Sequence, residues 1–168
     1  MPMTFGLSIL RSDHRGFTLV ELLVVIAIIG VLAAIVVPNA FKSIEKAKVA
    51  RAEADLKAFK AAALNYYTDT GKWPEDKYPG EDPGFVTNEG NVNGWNGPYL
   101  ERWPASTPFG GQYDWDKWSD RAGITIAHTP NLTDNLMLLI DRDMDDGNLA
   151  SGNVVKLDYG LQVILQRW

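Results

Sequence analysis

One apolar segment near the N-terminus constrains this chain more than any other feature. Residues 17–37 hold a single charged side chain, Glu21, and they follow a short polar and basic stretch that ends at Gly16. A helix of this length extends about 31 Å, close to the thickness of the hydrocarbon core of a bilayer. Because an unpaired carboxylate at that depth is costly, Glu21 is predicted to be a functional group that acquires a partner.

Residues 16–23, GFTLVELL, resemble the prepilin N-terminus shared by type IV pilins and the pseudopilins of type II secretion. The resemblance implies that a prepilin peptidase cuts between Gly16 and Phe17 and methylates the new N-terminal Phe17. It also implies that Glu21 acts in filament assembly and that Pro38 is the helix-bending proline of the family. An ordinary secretory signal is the alternative, but it places its cleavage site after the apolar core rather than before it.

The resemblance divides the chain into leader residues 1–16, a transmembrane and assembly helix over residues 17–38, and a head over residues 39–168. The chain has no cysteine, so disulfides cannot stabilise the head. Six basic and three acidic side chains lie in residues 42–60, whereas residues 61–168 hold eight basic and sixteen acidic ones. This balance disfavours nucleic-acid binding by the head and suits charge pairing between subunits, with a merely solvated surface as the alternative.

Beyond Pro38 the sequence becomes amphipathic. Apolar residues recur at spacings of three and four, at Ala52, Leu56, Phe59, Ala63 and Tyr66. We therefore expect one long helix from about Phe17 to about Tyr67. Proline lacks an amide N–H, so the helix is expected to bend or locally unwind at Pro38. Gly71 supplies the signal that ends it.

The rest of the head predicts a loop and then a sheet. Residues 71–108 are rich in glycine, proline, asparagine and tryptophan, which indicates an ordered loop pinned by aromatic side chains. Strand-like segments follow at residues 123–127, 136–140, 155–159 and 161–165, with a tight turn or bulge at residues 158–160. The expected class is α+β, with the amphipathic half of the helix packed on an antiparallel sheet of three to five strands.

One acidic segment, residues 141–148 with the sequence DRDMDDGN, is a candidate calcium site. The carboxylates of Asp141, Asp143, Asp145 and Asp146 can direct several oxygens toward one hard cation. The segment is not an EF-hand, because its glycine is the seventh residue rather than the sixth and Gly152 occupies the twelfth position. A solvated acidic turn without an ion is the alternative.

The composition argues against an enzyme. His128 is the only histidine after the leader and cysteine is absent, which leaves no basis for thiol catalysis or a histidine-rich zinc site. Asp114 and Asp116 alternate beside Trp115 and Trp118 in a pattern that resembles a sugar-binding or glycosidase-like cluster. No second catalytic carboxylate can be identified at the separation such chemistry needs. These aspartates are expected to be solvent-exposed charges among packed tryptophans.

A second resemblance concerns the head. Residues 95–100, WNGPYL, and residues 108–113, PFGGQY, resemble the G-type major pseudopilins, which also bind calcium in a loop near the C-terminus. The chain departs from that pattern in the strand sequence before the acidic segment. The resemblance implies a structural subunit of a helical filament, most consistent with a type II secretion pseudopilin. A major or minor subunit of a surface type IV pilus for adhesion, motility or DNA uptake is the alternative.

The resemblance also implies partners and a location. The partners are further copies of the same chain, prepilin peptidase, an inner-membrane assembly platform, a motor ATPase and minor pilins. Before assembly the chain is expected to cross the cytoplasmic membrane once. The basic leader would remain in the cytoplasm and the head would be periplasmic or extracellular.

Overall fold

The computed structural model describes residues 16–168, so the expected leader lies outside the described residues except for Gly16. The chain forms two compact units, Met1–Phe41 and Lys42–Trp168. Its elements are, in order, α1 Leu19–Thr70, β1 Gln112–Lys117, β2 Arg121–Ala127, α2 Asp134–Met144, β3 Val154–Leu157 and β4 Gly160–Arg167. One long helix followed by a small sheet confirms the α+β class.

The part of α1 that lies in the second unit buries the predicted apolar stripe. All five stripe residues are buried, and Val49 and Ala62 join them in the core. The helix ends three residues later than expected, at Thr70. Gly71 then adopts a φ of 72°, and its amide donates to the carbonyl of Tyr67 at 2.8 Å. A left-handed residue that closes the last turn is the helix ending for which glycine is favoured.

The sheet has four antiparallel strands in the order β1-β2-β4-β3. Its inner face packs on α1, where the ring of Phe59 lies 4.9 Å from that of Tyr113. The chain reverses between β3 and β4 at Asp158 and Tyr159, which confirms the predicted tight turn. The predicted strands around Ile124, Val155 and Val163 are confirmed, because alternating apolar residues place every second side chain in the core.

Residues 71–111 form the predicted ordered loop and contain neither helix nor strand. Aromatic side chains hold it in place. The indole N–H of Trp95 donates to the carbonyl of Gly84 at 2.7 Å, and that of Trp115 donates to the carbonyl of Pro74 at 3.1 Å. The ring of Trp103 packs 4.7 Å from that of Phe59. The loop is thus part of the core rather than a flexible connection.

One predicted strand is wrong. Residues 136–140 lie in α2, not in the sheet. Leu136, Met137 and Ile140 are buried whereas Leu139 is exposed, and this pattern follows the helical period. A run of five apolar residues does not distinguish a buried strand from the buried face of a short helix.

Candidate assembly segment and metal centre

Residues 17–37 present an apolar surface in the described part of the first unit. Every large hydrophobic side chain of residues 17–37 is exposed. By length and composition, α1 is able to cross a membrane. A contiguous apolar surface of this size is unfavourable in water, so it requires either lipid or other apolar helices around it.

Glu21 already has a partner within its own chain. Its carboxylate atom Oε2 accepts hydrogen bonds from the Thr18 amide at 2.8 Å and from the Thr18 hydroxyl at 2.7 Å. The Glu21 amide donates to the Thr18 hydroxyl at 3.2 Å. This reciprocal arrangement is a capping box, which satisfies two amide groups at the start of α1. Sequence reasoning missed the role of Thr18, although the spacing of threonine and glutamate by three residues is its usual signal.

Pro38 lies inside α1, which continues through it without interruption. The local unwinding expected there is therefore not found. Proline still removes one helical donor, since it has no amide N–H. The side-chain amide of Asn39 donates to the carbonyl of Ile35 at 3.3 Å and adds a hydrogen bond in the same turn.

Three of the four predicted aspartates come together where α2 ends. One carboxylate oxygen each from Asp141, Asp145 and Asp146 lies within 4.8 Å of the others. The Asp145 amide bonds to the Asp141 carbonyl at 2.6 Å, which closes the helix and places Asp145 beside its last turn. Gly152 closes the other side with a φ of 81°, and a side chain there would overlap the Asp145 carboxylate. The glycine that argued against an EF-hand therefore permits this close approach.

Asp141 is the unusual member of the cluster. It is fully buried, and neither carboxylate oxygen makes a hydrogen bond of ordinary geometry. Burial raises its pKa, and the charges of Asp146 and Asp145 raise it further, whereas the backbone amides of Gly147 and Asp146 partly oppose this shift. The Asp145 carboxylate differs, because it accepts from the amides of Asn153 and Val154, which lower its pKa.

Asp143 does not belong to the cluster, and the prediction that it would join one site with Asp141 is wrong. The two residues are two positions apart in α2, so their side chains leave the helix in different directions. Asp143 lies instead beside Glu53 of α1, where its charge helps raise the Glu53 pKa after burial.

The chemistry of the remaining donor set fits a hard cation. All the side-chain ligands are carboxylates, and calcium takes six to eight oxygens in a flexible arrangement. The buried Asp141 carboxylate makes no hydrogen bond of ordinary geometry, which is costly, and a cation at this position would compensate its charge. Asp141, Asp145 and Asp146 would therefore hold the ion, with main-chain carbonyls and water completing the coordination.

Two aspartates on β1 are not solvent-exposed as expected. Asp114 is buried, and burial together with the charges of Asp116 and Asp76 raises its pKa to about 7. Asp116 is partly buried and accepts a hydrogen bond from the Thr125 hydroxyl. Residues two apart in a strand share one face, so Asp114 and Asp116 lie on the same side of β1, but this spacing contains no information about what covers that face. His128 is exposed just beyond β2.

Two family models match the chain. The prokaryotic N-terminal methylation motif matches residues 11–37, and a model described as PilW, C-terminal, matches residues 43–125. The first covers the apolar segment with Gly16, Phe17 and Glu21, and the second covers the buried half of α1, the loop and the first strands.

Curated relatives agree with these matches. The chain is 37% identical over 112 residues to type II secretion system core protein G of Pseudomonas aeruginosa, an alignment that spans 62% of this chain and 75% of that protein. The corresponding protein of Escherichia coli is 39% identical over 106 residues, 61% of this chain and 71% of that protein. The type IV major pilin protein PilA of Myxococcus xanthus is 37% identical over 82 residues, which span 49% of this chain and only 36% of the pilin. The chain therefore belongs to the family of membrane-anchored, pilin-like filament subunits that comprises type IV pilins and type II secretion pseudopilins.

Proposed function

We propose that the chain is a pseudopilin whose filament serves type II secretion. The observation that supports this choice is the share of each relative's length that the alignment covers. Matches to the core G proteins of Pseudomonas aeruginosa and Escherichia coli span 75% and 71% of those proteins, whereas the match to the Myxococcus pilin spans 36% of it. The apolar segment is common to pilins and pseudopilins, so the choice between them depends on the head.

The assembly mechanism follows from the first unit. We propose that prepilin peptidase cuts between Gly16 and Phe17 while residues 17–37 cross the cytoplasmic membrane, with the head in the periplasm. Cleavage releases a positively charged amine on Phe17. Both hydrogen bonds from Thr18 to the Glu21 carboxylate end on Oε2, so we assign Oε1 as the acceptor for the amine of a neighbouring subunit.

The two kinds of interaction have different roles in the filament. Burial of the exposed apolar side chains against neighbouring helices supplies most of the association free energy. The ion pair between Glu21 and the Phe17 amine sets the register, because leaving either charge unpaired in an apolar bundle is costly. Head-to-tail contacts of this kind generate an open helical fibre. An assembly platform, a motor ATPase and minor pilins are the proposed partners for extraction and initiation.

Deletion of the gene tests the proposed function. The expected result is that secreted proteins accumulate in the periplasm while surface pili and twitching persist, and that the wild-type gene restores export. Normal export together with loss of surface pili would contradict the secretion proposal and support a pilus subunit.

We also propose that Asp141, Asp145 and Asp146 bind one calcium ion. The support is the buried Asp141 carboxylate, which makes no hydrogen bond of ordinary geometry, next to two further carboxylates. The ion would connect the end of α2 with the start of β3, since Asp145 accepts from the amides of Asn153 and Val154. In a head without disulfides, this connection would stabilise the C-terminal part of the sheet.

A further inference from the structure

Basic side chains follow the apolar segment closely along α1. Residues 42–51 hold one acidic side chain, Glu45, and four basic ones, which are Lys42, Lys46, Lys48 and Arg51. In the part of the chain that the structure describes, Arg51 forms an ion pair with Asp55 at 3.1 Å, whereas none of the three lysines forms one. We call Lys42, Lys46 and Lys48 the lysine cluster.

The lysine cluster is open to the surroundings of the helix. Lys42 and Lys46 are exposed and Lys48 is partly exposed. Lys46 borders a small cavity that Glu53 and Asp143 also line, but it is not ion-paired with either of these carboxylates. Ile44, which lies between the lysines, is 52% exposed. Three positive charges and one apolar side chain therefore contact whatever surrounds this turn of α1.

The three lysines point in different directions around the helix axis. Successive residues of an α-helix are turned by about 100°. Lys42 and Lys46 therefore share one side of α1, whereas Lys48 lies on nearly the opposite side from Lys46. A protein partner would meet one side of the helix, but the surface of a bilayer that a helix crosses surrounds it on all sides. The distribution of the charges suits a membrane surface.

The distance from the apolar segment also suits the headgroup region. Lys42 lies five positions beyond Val37, which is about 7.5 Å along a helix. The headgroups extend about 5–7 Å beyond the hydrocarbon core on each side. Side chains of a helix tilt toward its N-terminus, so those of Lys46 and Lys48 extend back toward the membrane, as long basic side chains do at bilayer surfaces. Their charges remain within about one Debye length of the headgroups, about 8 Å at physiological ionic strength.

The rest of the head has the wrong sign of charge for an anionic surface. Residues 61–168 hold eight basic and sixteen acidic side chains, so an anionic bilayer repels this part of the chain. Attraction to such a bilayer must come from the base of the head, where the lysine cluster lies.

We propose that Lys42, Lys46 and Lys48 bind the phosphate groups of anionic phospholipids in the leaflet on the head side of the membrane. The lysine ammonium binds phosphate as a point charge, and basic clusters beside a membrane-crossing helix attract anionic lipids. The lipid surface is the occupant because the cluster continues directly from the membrane-crossing segment and surrounds the helix. The contact holds the base of the head at the bilayer before assembly, and it is broken when the subunit leaves the membrane.

The test measures lipid binding directly and does not depend on protein export. The full chain is purified in a non-ionic detergent, phosphatidylglycerol is titrated into the micelles, and native mass spectrometry counts the bound lipids. Combining Lys42→Gln, Lys46→Gln and Lys48→Gln is expected to weaken phosphatidylglycerol binding by about tenfold or more. Zwitterionic phosphatidylcholine should bind weakly and equally to both proteins. Added salt should weaken the binding of phosphatidylglycerol to the wild type.

The matched control removes the same number of charges from exposed lysines outside the cluster, by combining Lys60→Gln, Lys72→Gln and Lys77→Gln. This variant is expected to bind phosphatidylglycerol as the wild type does, and near-ultraviolet circular dichroism checks that both variants keep the fold. The proposal is overturned if the cluster variant binds phosphatidylglycerol as tightly as the wild type, or if the control loses as much binding as the cluster variant. Unchanged lipid binding with a loss of filaments in the cluster variant would assign the lysines to contacts between subunits instead.

Discussion

The Tyr113 hydroxyl on β1 donates a hydrogen bond to the Asp55 carboxylate on α1 at 3.1 Å, across 58 positions of sequence. The phenol ring is fully buried. Burial and the Asp55 charge raise the pKa of Tyr113, so its hydroxyl remains a donor under all physiological conditions. The other Asp55 oxygen accepts from Arg51 at 3.1 Å. The hydrogen bond between Tyr113 and Asp55 therefore connects β1 with the buried half of α1.

Tyr113→Phe is therefore expected to lower the free energy of unfolding by about 1–2 kcal/mol, because a hydrogen bond to a charged acceptor is lost while the ring packing remains. Urea unfolding of the detergent-solubilised chain measures the change. Tyr78→Phe, at an exposed tyrosine, is the matched control. Equal stability of the two variants would show that the bond to Asp55 contributes nothing.

Calcium is expected to raise the melting temperature of the chain relative to a chelator. Binding to the folded state contributes about 2.7 kcal/mol at a hundredfold excess over Kd. Asp145→Ala and Asp146→Ala should each remove most of the stabilisation that calcium provides at the cluster of Asp141, Asp145 and Asp146. Magnesium should be less effective than calcium. Asp143→Asn is the control, since Asp143 lies outside the cluster. Loss of the calcium effect in the Asp143 variant, or its persistence in both alanine variants, would contradict the assigned ligands.

The pH dependence of stability is expected to include a contribution from Glu53. Burial first and Asp143 second raise its pKa, and Lys57 at 3.9 Å opposes them. The folded state therefore favours the protonated carboxyl. The contribution of the Glu53 side chain to stability is complete below the pKa that this group has in the unfolded chain. It is lost as the pH rises through the higher pKa of the folded state.

Glu53→Gln, which is neutral at every pH, should accordingly melt at a higher temperature than the wild type at pH 7–8, with the difference shrinking toward pH 4. Thermal melts across this pH range measure it. Glu45→Gln, at an exposed position of the same helix, controls for the general loss of a negative charge. A wild type as stable as the glutamine variant at pH 8 would argue against a buried, unfavourable Glu53.

Much of the head was predictable because its elements have a clear period. The stripe from Ala52 to Tyr66 repeats every three or four residues, and the residues around Ile124 alternate. Residues 136–140 have neither pattern, so the second helix was missed, and the error extended to Asp143, whose direction depends on that helix. The burial of Asp114 depends on what covers the outer face of the sheet, which spacing along one strand does not reveal.

Glu21→Ala is expected to leave membrane insertion and head folding intact, since it removes a charge from an apolar segment. Filament yield should fall by about tenfold or more, because the register pair is lost. Sheared filaments are quantified against the membrane-bound pool. Normal filament yield would show that the register is set elsewhere.

A second variant separates the two roles of Glu21. Glu21→Gln keeps a side chain able to complete the capping box with Thr18 but removes the charge. It should fail in assembly as the alanine variant does. Normal assembly of the glutamine variant would mean that capping of the helix, rather than the ion pair, is the role of Glu21.

The most direct test of the central claim is the N-terminus of the subunit in assembled filaments. We propose that the chain is processed between Gly16 and Phe17 and that the released amine enters the filament core. Mass spectrometry of purified filaments should find a mature chain that begins at an N-methylated Phe17. Filaments built from subunits that retain residues before Phe17 would contradict the account.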